Sequence, residues 1–217
     1  AVLKSRWEVQ NFMKLKFILI VFAFFFNRAH AQDSYQGMGQ KALMDGDFKL
    51  AIVYLEKAIV VDSCNLSALY MLGYSFYHAS DYKRSVGVFS KLVLLNSSNT
   101  GAYYYRGKAR NVMAAESGKL LNGDRERLFL SAIHDFSKAI EIDPDDSKLY
   151  QGRALAYRDY GMFKRQKNQK SYDRKKAINA FQFCVADFYK LKEISPGRKD
   201  IMSHLQEATE CLKELKP

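Results

Sequence analysis

Residues able to do acid–base, nucleophilic or metal chemistry are few in this chain and widely scattered. His30, His78, His134 and His204 stand far apart, with no carboxylate or cysteine at ligand spacing, so no zinc motif can be written. There is no phosphate-cradling Gly-rich loop and no nucleophile elbow. Cys64, Cys184 and Cys211 are odd in number, and their spacing fits no metal site. The expectation is a non-enzymatic protein with neither metal nor cofactor. Binding chemistry is better represented. Tyr70, Tyr74 and Tyr77, spaced four then three, share one helix face and offer flat apolar rings with polar tips. Stripes of this kind commonly belong to a core, yet Leu69, Leu72, Gly73 and Phe76 already supply a core face here. A second cluster, KRQKNQKSYDRKK at 164–176, holds Lys164, Arg165, Lys167, Lys170, Arg174, Lys175 and Lys176 against Asp173 alone. Such a run suits either a solvated extension or contact with an anionic surface.

The elements that must position these residues are helices. In SAIHDFSKAIEIDP (131–144), Ala132, Ile133, Phe136, Ala139 and Ile140 fall on one face, and Pro144 ends the helix because it has no amide donor. One such helix cannot bury its stripe alone, and the chain repeats it. Gly39, Gly73 and Gly107 are spaced by 34 residues, as are Tyr35, Leu69 and Tyr103, and the same interval links Leu55 to Phe89. Glycine inside a helix costs about 1 kcal/mol relative to alanine, so this recurrence predicts close approach of a neighbouring helix at each glycine.

A 34-residue helix–turn–helix period, with the phrases GDFKLAIVYLEKAIVVD (46–62) and SDYKRSVGVFSKLVLLN (80–96), resembles the tetratricopeptide-repeat family. The resemblance implies an all-α, right-handed superhelical stack of about four helix pairs, at about 32–65, 66–99, 100–146 and 147–198, closed by a capping helix at 199–217. Phe136 follows Phe89 by 47 residues and Phe188 follows Phe136 by 52, so the third and fourth units carry insertions, placed at about 112–128 and 161–180. Equivalent turns lie side by side in such a stack, so one shared protrusion is expected. VADFYKLKEISP (185–196) matches IHDFSKAIEIDP (133–144) in register.

The resemblance also implies a concave groove lined by the first helix of each unit, which takes an extended or helical peptide. Mapped onto this chain, the groove positions are Gln36, Gln40 and Leu43, then Tyr70, Tyr74, Tyr77 and His78, then Tyr104, Lys108 and Asn111, then Gln151, Leu155 and Arg158. Lys108 and Arg158 would favour an acidic or carboxylate-bearing partner. Family members that grip acidic chaperone tails use a lysine, asparagine and arginine clamp. Gln36, Gln40, Met71, Gly101 and Tyr105 stand at those positions, so such tails are not expected.

Residues 13–32, MKLKFILIVFAFFFNRAHAQ, read as a secretory signal: Lys14 and Lys16, an apolar run at 17–26, and Ala29-His30-Ala31 for cleavage, leaving Gln32 first. Residues 1–12 then read as an extension upstream of the true start. The apolar run is shorter than the roughly 20 residues a membrane-spanning helix needs. Without 1–31 the chain keeps 29 basic and 22 acidic residues, a net +7. In an oxidising compartment a Cys184–Cys211 disulfide is considered, since their helices should lie antiparallel and adjacent. Cys64 is expected to be a small buried hydrophobe.

Together these readings describe a protein exported to the periplasm or cell envelope of a Gram-negative bacterium, where it binds another protein or peptide as an adaptor or assembly factor. The alternative is an anionic envelope polymer or membrane surface held by the 164–176 segment. Nucleic acid is not expected, since no reading motif is present.

Overall fold

Every element of the computed structural model is a helix among the described residues, which are Lys14, Lys16 and 35–215 without 117–119, 168 and 199. The signal segment therefore lies outside the described residues, apart from Lys14 and Lys16. Helix α1 covers residues 35–44. It is followed by α2 (Phe48–Val61), α3 (Leu66–His78), α4 (Tyr82–Leu95), α5 (Thr100–Glu116), α6 (Asn122–Ile142), α7 (Ser147–Lys164), α8 (Arg174–Ile194) and α9 (Asp200–Leu215). The chain divides within α3 into two compact units, Ala1–Leu72 and Gly73–Pro217.

Short polar caps set where the helices begin. Asp47, Asp81, Asp146 and Asp173 each accept a hydrogen bond from a backbone N–H in the first turn of α2, α4, α7 and α8. Asn65 and Asn99 do the same for Ala68 and Ala102. The turn before α2 places Gly46 at φ 76°, and the equivalent turn before α4 places Ser80 at φ 61°. Left-handed backbone suits glycine and strains serine.

In the first unit, α1 and α2 meet where Gly39 lacks a side chain. A Cβ there would lie 2.6 Å from Leu55 Cγ. Ala51, Leu55, Ala58 and Ala68 are fully buried around this contact.

The second unit repeats the device with larger rings. A Cβ on Gly73 would stand 2.8 Å from Phe89, and Ser85 donates to the Gly73 carbonyl at 2.9 Å. Phe136 is held from two sides: a Cβ on Gly107 would meet it at 3.2 Å and one on Gly152 at 2.4 Å. Farther along, Tyr150, Ala154, Phe181, Cys184, Phe188, Leu191, Ile201, Leu205 and Ala208 form a cluster that joins α7, α8 and α9.

The extra residues of the third and fourth units lengthen α5–α8 rather than forming long loops. Phe129, Tyr160, Phe163, Ala114 and Ala180 from these extensions bury one another. A charged group ties the extensions together: Glu126 accepts from Tyr160 Oη at 2.8 Å, Lys164 Nζ at 2.7 Å and Lys176 Nζ at 2.9 Å. Burial alone would raise the Glu126 carboxyl, but hydrogen bonds from Lys164, Lys176 and Tyr160 outweigh it and hold the group down at about 2.

Candidate interaction cleft

Helices α5 and α7 present the same register toward each other. Tyr104, Lys108 and Asn111 recur along one face of α5 at four then three, and Gln151, Leu155 and Arg158 recur likewise on α7. These six residues line one cleft of about 310 Å³, together with Val112, Phe136, Gly152 and Asp159. Gly152 and Phe136 both line it, so the close contact that fixes the helix spacing also shapes the cavity.

Charge in the cleft is unevenly placed. Arg158 donates through Nε and Nη2 to Asp159 Oδ1 at 3.1 and 3.0 Å, and its Nη1 lies 3.7 Å from Glu207. Asn111 Nδ2 donates to Asp159 Oδ2 at 2.7 Å. Lys108 has no carboxylate partner among the described residues. Its Nζ instead lies 4.9, 5.4 and 5.7 Å from the ring centroids of Tyr77, Tyr104 and Tyr105.

The tyrosines of α3 are neither core nor isolated. Within the second unit Tyr74 and Tyr77 each pack edge-on against Tyr105, with centroids 5.1 and 5.5 Å apart. Tyr77 also meets Tyr82, and Tyr74 lies 4.2 Å from His78. Burial raises the Tyr77 and Tyr104 phenols, while burial and then the Lys108 charge lower His78. Tyr70 is half-buried on the same face of α3, in the first unit. Also there, Gln36 is tied to Asn65 at 2.8 Å and to Ser67 at 3.4 Å.

Lys164, within the 164–176 segment, is a correction to the sequence reading. Lys164 is only 5% exposed and is occupied by Glu126, so it cannot face an anionic surface. Arg165 pairs with Glu214 at 2.5 Å, Arg174 donates to the Leu215 carbonyl at 2.8 Å, and Lys176 serves Glu126. Lys167, Lys170, Arg174, Lys175 and Lys176 are exposed. Most of this run holds α7, α8 and α9 in place.

Cys184 and Cys211 share one buried cluster but are free thiols, not a disulfide. Burial pushes Cys184 up to about 12, and Cys211 Sγ accepts from Arg165 Nη1 at 2.9 Å. Cys64 is exposed rather than buried, because α2 ends at Val61 and its N–H turns to Asp62 Oδ1. A second cleft of about 560 Å³ lies between α8 and α9, lined by Tyr189, Lys192, Met202 and Lys213 among others. Among the described residues no group of three His, Cys, Asp or Glu side chains could hold a metal.

No family model and no curated protein matches the sequence. Solved structures do. MamA 41-end from Desulfovibrio magneticus RS-1 is 18% identical, with 86% of this chain and 98% of that one covered at a TM-score of 0.55. TTC0263, a thermophilic TPR protein of Thermus thermophilus, is 15% identical, with 82% and 99% covered at 0.52. The second TPR domain of human RPAP3, in complex with the HSP70 peptide SGPTIEEVD, is 16% identical, with 59% and 97% covered at 0.51. The chain has the tetratricopeptide-repeat fold. At these identities the likeness is one of fold. It makes α5 and α7 the first helices of successive repeats, and α6 and α8 the second. The same frame shows what the spacing alone had not: Arg106 and Arg153 hold equivalent repeat positions, and so do Asp135 and Asp187, each just before a core phenylalanine. The recurring Asp-Phe pair was the signal for them.

Proposed function

We propose that the chain is a non-catalytic protein-interaction module whose cleft between α5 and α7 holds a segment of a partner protein. In this reading it serves as an adaptor or assembly factor in the bacterial cell envelope, after export by its N-terminal signal. The observation that supports the reading most is the convergence of six residues in repeat register on one cavity with apolar and polar lining residues. The RPAP3 domain, of the same fold, is in complex with a peptide, and a peptide segment is the occupant proposed here. The lysine–asparagine–arginine clamp is missing from this sequence, so acidic chaperone tails are not the proposed partner. The anionic-surface alternative keeps Lys167, Lys170 and Lys175 as exposed cations with no carboxylate partner among the described residues, whereas Arg174 and Lys176 are exposed but engaged by the Leu215 carbonyl and Glu126, and the cleft is favoured over it.

The test is selection from a random peptide library on the chain, with Leu155→Arg as the counter-selecting variant. Leu155 lines the cleft, and an arginine there would fill it. Peptides that bind wild type and not a helical Leu155→Arg protein support the reading. Peptides that bind both equally contradict it, and steep loss of binding with salt would move attention to the three lysines.

A further inference from the structure

We infer that the segment held in the α5–α7 cleft presents an aspartate or glutamate side chain to Lys108 and a neighbouring backbone N–H to Asn111. This rests on the cleft being the binding surface. Of the two cations lining the cavity, Arg158 is already neutralised by Asp159 and approached by Glu207. Lys108 therefore carries the uncompensated charge. Its ammonium is confined by three tyrosine faces, which restrict the long side chain without accepting its charge as a carboxylate would. A cation ordered beforehand in this way loses less conformational entropy on binding. The Lys108 charge is also felt by His78, whose titration it helps to depress.

Asn111 supplies the independent observation. Its Nδ2 donates to Asp159, and the flipped amide would set oxygen against that carboxylate, so the orientation is determined. The amide oxygen is left buried with no hydrogen-bond partner among the described residues. Buried acceptors of this kind are rare and are satisfied by an incoming donor at a net gain. Lys108 and Asn111 stand one helical turn apart, about 5–6 Å between Cβ atoms. A terminal carboxylate and its own amide nitrogen are borne by one α-carbon and lie too close together to reach both. An acidic side chain spans the turn. Val112, Leu155 and Phe136 then take the apolar side chain beside it.

The assignment gives separate roles. Lys108 and Asn111 touch the segment, whereas Tyr77 and Tyr105 are positioning residues for Lys108. The probes are the library-selected peptides, each synthesised with its Asp or Glu and with the matching Asn or Gln, and with free or amidated C-terminus. Affinity is measured on the full chain. The acid forms should bind wild type about tenfold more tightly than the amide forms, and Lys108→Met should abolish that difference while Lys108→Arg keeps it. Tyr77→Leu should weaken acid forms and leave amide forms unchanged, with Tyr77→Phe restoring the difference. Amidating the C-terminus should change nothing. Equal binding of acid and amide forms, or an acid preference that survives Lys108→Met, overturns the inference. So does a preference that follows the C-terminus. If such peptides still lose binding in Leu155→Arg, the cleft reading stands without the inference; if no selected peptide does, both fall.

Discussion

Arg153 and Asp187 meet through two parallel hydrogen bonds, Nε to Oδ2 and Nη2 to Oδ1, both 2.8 Å long, while Nη1 reaches back to Ser137 at 3.1 Å. One repeat earlier the same arrangement recurs, with Arg106 on Asp135 and on Ser90. Each arginine thus joins the second helix of its own repeat to the second helix of the one before. Burial pushes the Asp187 carboxyl up although Arg153 pulls it down, while the hydrogen bond to Asp187 raises Arg153, so the two partners' shifts oppose and the paired geometry is what holds them. Arg153→Met should leave a buried carboxylate unpaired and lower stability by about 3 kcal/mol. Replacing both partners, as Arg153→Met with Asp187→Leu, should recover most of that loss in urea unfolding.

Glycine positions separate into two kinds. Gly152→Ala would drive a methyl to 2.4 Å from the Phe136 ring, and Gly87→Ala would meet nothing within 4 Å. Overpacking of a tight core costs about 1–3 kcal/mol, whereas alanine for glycine in an open helix gains about 1 kcal/mol. Thermal melts of the two variants should move in opposite directions. A rise in Tm for Gly152→Ala would mean that α7 can shift away from Phe136.

The Glu126 cluster gives a pH signature. Its carboxyl is lowered from 4.5 to about 2 in the folded chain, so its contribution is complete above the ordinary carboxylate range and disappears as pH falls from there toward about 2. Glu126→Gln should destabilise the protein by about 3 kcal/mol at neutral pH, since Lys164 would be left buried without a counter-charge. The gap between wild type and variant in urea midpoint should close over that acid interval. A gap that stays constant would show that packing, not charge, is what the variant removes.

The signal reading makes a covalent prediction. Expressed with its leader in a Gram-negative host, the chain should be processed after Ala31, giving Gln32 as the first residue. Mass spectrometry of the periplasmic protein reads this directly, and an intact leader on the recovered chain would contradict export.

The repeat register was legible because glycine, aromatic and small residues must recur wherever two helices touch closely. Gly39, Gly73 and Gly107 announced their contacts by a common interval. Gly152 did not, because it lies two residues before the equivalent site, where Ala154 stands, and it approaches Phe136 from the following repeat. Tyr104, Lys108, Asn111, Gln151, Leu155 and Arg158 could be placed on facing helices by counting turns. Which of their charges are neutralised could not be counted, since Arg158 turns to its sequence neighbour Asp159 only in the folded rotamer and Glu207 reaches it through tertiary packing. The pairing within the basic run was hidden for the same reason. Composition records seven positive charges, whereas Glu126, Glu214 and the Leu215 carbonyl that engage four of them lie far away in sequence.

Hydrogen exchange of the chain with and without a library-selected peptide tests the central claim most directly. Slowed exchange confined to the cleft-lining stretches of α5 and α7, around residues 104–112 and 151–159, is the predicted result. Protection that appears instead at 167–175, or on the α8–α9 cleft around Tyr189 and Met202, would contradict it.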